Sequence, residues 1–174
     1  MSQLDQYVNT SADDWTEGDP ASTTGSTLTV RYLDDPSPVS SQGYCLIDTS
    51  SIPADATIDN ATFYWYDHAY LQPKGAGVES TIRIWDNVSA YVQIYAFTSF
   101  SAGAKSHAME STELQYINTS GDTKFQFTTI LRAGKNRTWD VRAYDGYSGT
   151  SEQPRLVVNY TEAGAGRSKT MILR

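Results

Sequence analysis

The chain has 174 residues, of which 39% are hydrophobic and 19% charged, and its net charge is −7. This length fits one domain, and 13 Lys and Arg spread along an acidic chain argue against a nucleic-acid partner, because phosphate binding needs clustered cations. One cysteine, Cys45, excludes an internal disulfide, and no apolar run reaches the roughly 18 residues of a membrane-spanning helix. The start of the chain is neither basic nor apolar, so we expect no secretory signal there.

The residue composition predicts an all-β fold. Tyr, Trp, Phe, Ser and Thr are abundant, and these residues suit pleated, half-buried surfaces. Few windows have the 3.6-residue apolar period of a helix, and residues 99–113 are the one stretch where we expect a helical turn. The predicted strands lie within residues 4–9, 25–33, 43–48, 57–66, 80–85, 91–97, 116–117, 124–130, 137–144 and 155–160. We expect eight or nine of these ten stretches to form strands, and short strands at roughly even spacing indicate a jelly-roll β-sandwich in residues 1–161.

The stretch from residue 43 to residue 66 is expected to form the hairpin-like centre of the sandwich. It contains two strands separated by a proline turn, and Asp48 at the end of the first is expected to bind nearby backbone N–H groups. The second strand alternates, with Phe63 and Trp65 on the core side. Cys45 lies between apolar neighbours and is expected to be a small buried side chain rather than a nucleophile.

Two other strands have an alternation that assigns their faces. In residues 91–97 the pattern places Val92, Ile94 and Ala96 inside and Tyr91, Gln93 and Tyr95 outside. In residues 155–160 it places Leu156, Val158 and Tyr160 inside.

Catalytic and metal-binding motifs are absent from the sequence. His68 and His107 belong to no recognisable nucleophile motif, and we expect no catalytic residues and no cofactor. A structural calcium ion is the one alternative, because calcium takes oxygen ligands from loops. The acidic loop residues that would supply them are Asp13, Asp14, Glu17, Asp19, Asp34 and Asp35.

Exposed aromatic residues are the strongest indication of a binding function. Rings of Trp and Tyr stack on sugars and also anchor protein interfaces. The candidates for binding a carbohydrate or a partner protein are Trp15, Tyr64, Tyr66, Tyr70, Tyr144 and Tyr147. The alternative is that the second sheet of the sandwich covers several of these rings.

The C-terminal residues 162–174 differ in composition from the rest. A Gly-rich tether leads to Met171, Ile172 and Leu173 between basic residues, which is typical of a disordered tail or of an arm that docks on a neighbouring subunit. All six asparagines begin an N-x-S/T sequon, which leaves open whether they are glycosylated.

Two motifs resemble the DNRLRE-type, disaggregatase-related domain. Residues 43–58, GYCLIDTSSIPADATI, followed by Ala61-Thr62-Phe63, are similar to its leading motif, and residues 154–160, PRLVVNY, are similar to its last strand. Ile47 stands where the family usually has phenylalanine, and Tyr44-Cys45 replaces its basic residue. The resemblance implies a jelly roll similar to carbohydrate-binding modules and to virion proteins of tailed viruses, and no ligand-binding residue is transferred from it.

Two functions follow as hypotheses. The first is a non-enzymatic structural protein of a tailed-virus particle, a capsid decoration or cement protein, with a tail or fibre position as its variant. It would be assembled in the host cytoplasm, lie on the virion surface, form homo-oligomers and contact the major capsid protein or tail subunits, without nucleic acid or membrane insertion. The second is a carbohydrate-binding module or adhesin that binds a surface glycan.

Overall fold

The computed structural model describes residues 1–7, 22–24, 27–33, 39–40, 42–71, 80–86, 90–97, 101–129, 137–142 and 153–163. Twelve strands and one short helix lie in these ranges. The strands are β1 Ser2–Tyr7, β2 Ser22–Thr24, β3 Thr27–Leu33, β4 Val39–Ser40, β5 Gln42–Asp48, β6 Thr57–Leu71, β7 Ser80–Trp85, β8 Tyr91–Phe97, β9 Gly103–Ala108, β10 Asp122–Thr129, β11 Arg137–Arg142 and β12 Arg155–Thr161, and the helix α1 is Ser111–Leu114.

The strands form two antiparallel sheets, which confirms the predicted all-β sandwich. The larger sheet has eight strands in the order β1-β12-β6-β11-β3-β2, with β4 paired to β3 and β9 paired to β6. The smaller sheet has four strands in the order β5-β10-β7-β8. The part of the chain that the structure describes contains no helix long and apolar enough to cross a membrane.

The longest strand, β6, organises the larger sheet. Its residues 57–64 pair with β12 and its residues 67–71 pair with β11. Residues 62–67 pair with β9, and because β9 and β12 share Thr62 to Tyr64 as partners, they lie on opposite edges of β6. The predicted alternation of β6 is confirmed, since Phe63 and Trp65 are buried while Tyr64 and Tyr66 are half-buried on the other face.

Stacked aromatic rings join the two sheets. Phe63 of β6 lies parallel to Phe125 of β10, with ring centroids 3.9 Å apart and an interplanar angle of 7°. Trp65 stacks on Phe63 at 5.6 Å, and its indole N–H donates to the buried carboxylate of Asp67 at 3.0 Å. The buried hydrophobic residues around these rings are Cys45, Ile47, Ile52, Ala61, Ile82, Ile84, Ile94, Met109, Ile117, Phe127, Leu156 and Val158.

The predicted hairpin at residues 43–66 is wrong, because its two strands belong to different sheets. β5 pairs with β10 in the smaller sheet, whereas β6 lies inside the larger one. The connection makes two turns, closed by the bonds from Ile52 N–H to the Thr49 carbonyl and from Ala56 N–H to the Pro53 carbonyl. Ile52 between the turns is buried, so the connection crosses from sheet to sheet over the core.

The structure confirms the turn-forming role of Asp48 and the burial of Cys45. The Asp48 carboxylate accepts hydrogen bonds from the Ser50 hydroxyl at 2.6 Å and from the Ser50 N–H at 2.9 Å. These bonds, with the hydroxyl contributing most, hold the pKa of Asp48 below its ordinary value of 3.8. Cys45 is fully buried.

The helix found near residues 99–113 is much shorter than the range in which a helical turn was expected. Helix α1 covers four residues, and the residues before it form β9, whose side chains alternate in exposure. The expected strand at residues 116–117 is also wrong, because Tyr116 and Ile117 continue the turn after α1 by donating to the carbonyls of Glu113 and Leu114. Edge pairing with β6 decides the structure of β9, and local sequence does not reveal such pairing.

A β-bulge changes the predicted faces of β8. Tyr95 lies opposite Ile82 and Gln93 lies opposite Arg83, so Ile94 is the extra residue. After the bulge Tyr95 turns inward and meets Trp65 edge-on at 4.9 Å, and Ala96 is exposed. Both positions were predicted the other way round. Burial and the nearby Asp67 charge raise the pKa of Tyr95 above 10.0. In β12, Leu156 and Val158 are buried as predicted, and Tyr160 packs against the core while half-buried.

Candidate binding surface

Two of the predicted aromatic candidates lie together on the outer face of the larger sheet. The Arg155 guanidinium covers the Tyr64 ring at 4.5 Å from its centroid and also lies 3.5 Å from an Asp5 carboxylate oxygen. Tyr66 follows on the same face of β6 and is half-buried. The backbone of Tyr70 pairs with Trp139 of β11, and its side chain lies outside the described set.

The other candidates lie outside the described residues. They are Trp15, Tyr144, Tyr147 and the docking-arm residues Met171, Ile172 and Leu173. The acidic residues considered for calcium, at positions 13–19 and 34–35, lie outside them too. Among the described residues, no group of three His, Cys, Asp or Glu side chains is placed to hold a metal ion.

The smaller sheet carries an aromatic surface that the candidate set did not include. Its register aligns two rows of residues on the sheet's outer face across all four strands. One row is Tyr44, Gln126, Arg83 and Gln93, and the next row is Leu46, Lys124, Trp85 and Tyr91. We name six of these residues the aromatic–cation platform: Tyr44, Arg83, Trp85, Tyr91, Lys124 and Gln126.

The two cations of the platform lie on aromatic rings. The Lys124 ammonium lies 4.0 Å from the centroid of the Tyr44 ring and 5.4 Å from that of Trp85. The Arg83 guanidinium lies 4.3 Å from the centroid of Tyr91. The Trp85 and Tyr91 rings are themselves in contact, with centroids 4.8 Å apart. Such contacts hold long, flexible cations in place and keep the rings aligned across the strands.

Gln126 connects the platform from beneath. It is only 1% exposed, and its Oε1 accepts a hydrogen bond from the Trp85 indole N–H at 3.1 Å and from Arg83 at 3.4 Å. Its Nε2 donates to the Tyr44 hydroxyl at 2.8 Å. One buried amide therefore fixes three of the platform's outward side chains, and fixed side chains lose less entropy when they bind a partner.

The charge on the platform is positive although the chain is acidic. Within the described ranges, neither Lys124 nor Arg83 forms an ion pair with a carboxylate, and the ion pairs found there join other residues. The Nε atom of Arg83 is buried without a hydrogen-bond partner. The platform therefore presents two cations and three aromatic rings, whose charge a partner can match with acceptor or acidic groups.

The composition of the platform is that of a recognition surface. Trp, Tyr and Arg are the residues most enriched where binding energy concentrates in protein interfaces, and the same rings stack on the flat faces of sugars. Tyr91 is 45% exposed and is the outermost ring, at the edge of the sheet. The other platform side chains, Gln126 apart, are half-buried and offer one face to solvent.

A signal for the platform was present in the sequence. Tyr91 was placed outside by its alternation, and the pattern Thr81-Ile82-Arg83-Ile84-Trp85 likewise puts Trp85 outside. The alignment of these residues with Tyr44 and Lys124 depends on which strands pair and in what register. That register joins strands distant in sequence, so no local pattern contains it.

His107 is the histidine whose side chain is described, and it contacts a buried carboxylate. The Nε2 atom of His107, on β9, lies 2.8 Å from Oε2 of the buried Glu113. The same Glu113 oxygen accepts the Glu110 N–H at 2.7 Å, at the start of α1. His107 thus links an edge strand to a helix end through a shared carboxylate. The side chain of His68 lies outside the described set.

Comparisons with known proteins assign no family. No protein-family model matches the chain, and none of the curated proteins matches it. The resemblance of residues 43–63 and 154–160 to the DNRLRE-type domain stays a prediction.

Proposed function

We propose that the chain is a non-enzymatic structural protein of a tailed-virus particle, a capsid decoration protein that attaches through the aromatic–cation platform. A tail or fibre position is a variant of the same proposal. The observation that carries it is the platform itself, in which Trp85, Tyr91 and Arg83 form one fixed surface. The resemblance to a domain found in virion proteins gives further support.

Such a protein acts by burying part of its surface against its neighbours and catalyses no reaction. The partners in this proposal are other virion proteins, such as the major capsid protein or tail subunits. The platform's two cations suit a partner surface rich in carboxylates and carbonyl oxygens, and the rings supply apolar area. The stacked core between the sheets makes the face rigid, so little ordering is needed on binding. In this proposal the chain needs no cofactor, metal or nucleic acid and lies on the virion surface.

The direct test of this role is the protein content of particles. Particles purified on a density gradient from the organism that carries the gene are analysed by quantitative mass spectrometry. We expect peptides of this chain in a fixed ratio to the major capsid protein. A chain found only outside the particle fraction would rule out the structural role.

A carbohydrate-binding module or host-surface adhesin is the second candidate function, and one observation favours it. The Trp85 and Tyr91 rings are in contact on adjacent strands, and the Tyr44 ring lies on the same sheet face beyond β10, an arrangement that can stack on separate sugar residues of one chain. A glycan array probed with the wild-type chain, Trp85→Ala and Trp15→Ala separates the candidates. Glycan binding that either substitution abolishes favours the module, and no binding to any glycan favours the structural protein.

The proposed docking arm has its own test. Residues 162–174 carry Met171, Ile172 and Leu173, and an arm of this kind would bury them against a neighbouring subunit. We expect a chain truncated after residue 163 to occupy particles at reduced level. Full occupancy by the truncated chain would remove the arm from the proposal and leave attachment to the platform.

A further inference from the structure

The six asparagines of the chain share a feature that the proposed function does not use. Each of them begins an N-x-S/T sequon, and in none of the six is the middle residue a proline, which would block the sequon. Ser and Thr make up 39 of the 174 residues, so about one Asn in five would begin a sequon by chance. Six out of six has a chance probability on the order of one in ten thousand, so composition alone does not explain the pattern.

The structure describes the side chains of three of these asparagines. Asn60 is on β6, Asn118 lies between α1 and β10, and Asn159 is on β12. Asn159 is half-buried, and its Nδ2 donates to Oδ1 of Asn60 at 2.7 Å. Asn118 is half-buried as well, and its Nδ2 donates to the Asp122 carbonyl at 3.1 Å. In both of them the nitrogen that would carry a glycan is therefore already bonded within the fold.

Asn60 differs from the other two in exposure and in bonding. Its side chain is exposed on the outer face of the larger sheet, because the next residue, Ala61, faces the core. Its Oδ1 accepts from Asn159, which is directly opposite on β12, and no hydrogen bond of its Nδ2 is found among the described residues. The two amide atoms branch from one carbon, so the bond that holds Oδ1 towards β12 directs Nδ2 away from that strand.

The surroundings of Asn60 leave room for a sugar chain. Thr62, which supplies the hydroxyl of the sequon, is two positions further along the strand and therefore lies on the same outer face. β9 pairs with β6 from Thr62 onward, so Asn60 lies beyond the end of β9. The folded sandwich can thus carry a bulky, hydrated group on Nδ2 without giving up a hydrogen bond or burying the sugar.

We propose that Asn60 is an N-glycosylation site whose glycan lies on the outer face of the larger sheet. In the transfer, Nδ2 bonds to the anomeric carbon of a sugar that carries a phosphate or diphosphate leaving group there. The bond from that carbon to the phosphate oxygen breaks, the phosphate keeps the electron pair, and a base of the transferase takes one proton from Nδ2. The transferase acts before β6 pairs with β12, because the backbone of residues 60–62 is held in that ladder in the folded chain.

The position separates the glycan from the aromatic–cation platform. β6 and the platform strands belong to different sheets of the sandwich, so their outer faces point in opposite directions. A glycan on Asn60 leaves the platform uncovered and adds polar surface to the opposite side. The site is therefore compatible with either of the two candidate functions and does not depend on the choice between them.

The test is a mass-spectrometric peptide map of the full chain, purified from the organism that carries the gene. Fragmentation that leaves sugars attached to their side chains should show the peptide containing Asn60 with the added mass of a glycan. Asn60→Gln removes the acceptor nitrogen and Thr62→Ala removes the sequon hydroxyl, so each variant, expressed in the same organism, should lose that added mass completely. Thr62→Ser keeps the hydroxyl and is the matched control that should retain the glycan.

Thr62→Ala leaves Asn60 in place, so it tests the sequon even if Asn60→Gln fails to fold. A wild-type peptide found only at its unmodified mass overturns the proposal. So does a modification of Asn60 that Thr62→Ala retains, or a chain glycosylated at Asn118 or Asn159 but not at Asn60. The map is made on the chain itself, so its absence from the particle fraction would count against the structural role and not against this site.

Discussion

Single residues fix the ends of strands in this sandwich, and Asp48 is the best-defined example. Its carboxylate accepts both the hydroxyl and the backbone N–H of Ser50, which starts the connection from β5 to β6. Asp48 is half-exposed at a turn, so these bonds act locally. The sequence predicted this role correctly because an aspartate-turn bond is formed within three residues and needs no tertiary partner.

The first prediction concerns the pKa of Asp48. NMR titration should give a value below 3.8, and Ser50→Ala should raise it towards 3.8 by removing the hydroxyl donor. Because the folded-state pKa is below the unfolded one, the bonds contribute fully to stability above pH 3.8, and the contribution is lost as the pH falls through the folded-state value. The control Ser51→Ala should leave the titration unchanged. An equal shift in both variants would contradict this assignment.

The second prediction concerns Gln126 beneath the platform. Gln126→Leu keeps the volume but leaves the Trp85 indole N–H without its acceptor, so we expect the free energy of unfolding to fall by about 1–3 kcal/mol. Urea denaturation measures this change. Gln93→Leu, in the same cross-strand row but exposed, is the matched control and should change stability by less than about 0.5 kcal/mol. An equal loss of unfolding free energy in both variants would show that the Gln126 amide does not hold the platform side chains in place.

At the scale of elements, the contact between β6 and β10 joins the two sheets. Phe63 and Phe125 are both fully buried and stack in parallel, and Phe127 lies 6.2 Å from Phe63. The alternation of apolar residues along β6 predicted which side faces the core. It did not predict that the facing strand is β10, because that partner is about 60 residues away in sequence and is chosen by the packing of whole sheets.

The third prediction follows from this contact. Phe63→Ala removes a ring from between the sheets, and we expect a loss of about 3–5 kcal/mol of unfolding free energy. Thr62→Ala, on the other face of the same strand, should cost less than about 1 kcal/mol. Thermal or chemical denaturation compares the two variants. A loss at Phe63 no larger than the loss at Thr62 would mean that the stacked rings do not join the sheets.

The way in which the strands pair also explains why two of the sequence predictions were wrong. The stretch from residue 43 to residue 66 has the alternation and the proline turn of a hairpin, yet β5 and β6 lie in opposite sheets. Two turns and the buried Ile52 lead the chain across the core, and a local pattern does not distinguish that crossing from a return within one sheet. β9 was missed for a related reason, because Gly103–Ala108 becomes a strand by pairing with β6.

For the whole molecule, the division into two sheets separates two surfaces. The larger sheet presents Tyr64 beneath Arg155, which is itself paired with Asp5. The smaller sheet presents the platform, whose two cations form no ion pair among the described residues. An all-β sandwich was predictable from composition and strand spacing. The platform was not, because it exists only once β5 and β10, which are distant in sequence, are set in register beside β7 and β8.

The fourth prediction tests the platform as the attachment surface, which is the central claim of the proposed function. Particles from which this chain has been removed are mixed with increasing concentrations of the purified wild type, Trp85→Ala or Tyr64→Ala. The fraction of each protein that sediments with the particles is then measured. Loss of a central interface tryptophan typically costs about 2 kcal/mol or more, so Trp85→Ala should weaken attachment by roughly 30-fold or more. Tyr64→Ala removes a ring from the opposite sheet and should bind like the wild type. Attachment that survives Trp85→Ala but is lost with Tyr64→Ala would contradict the account and assign the contact to the larger sheet.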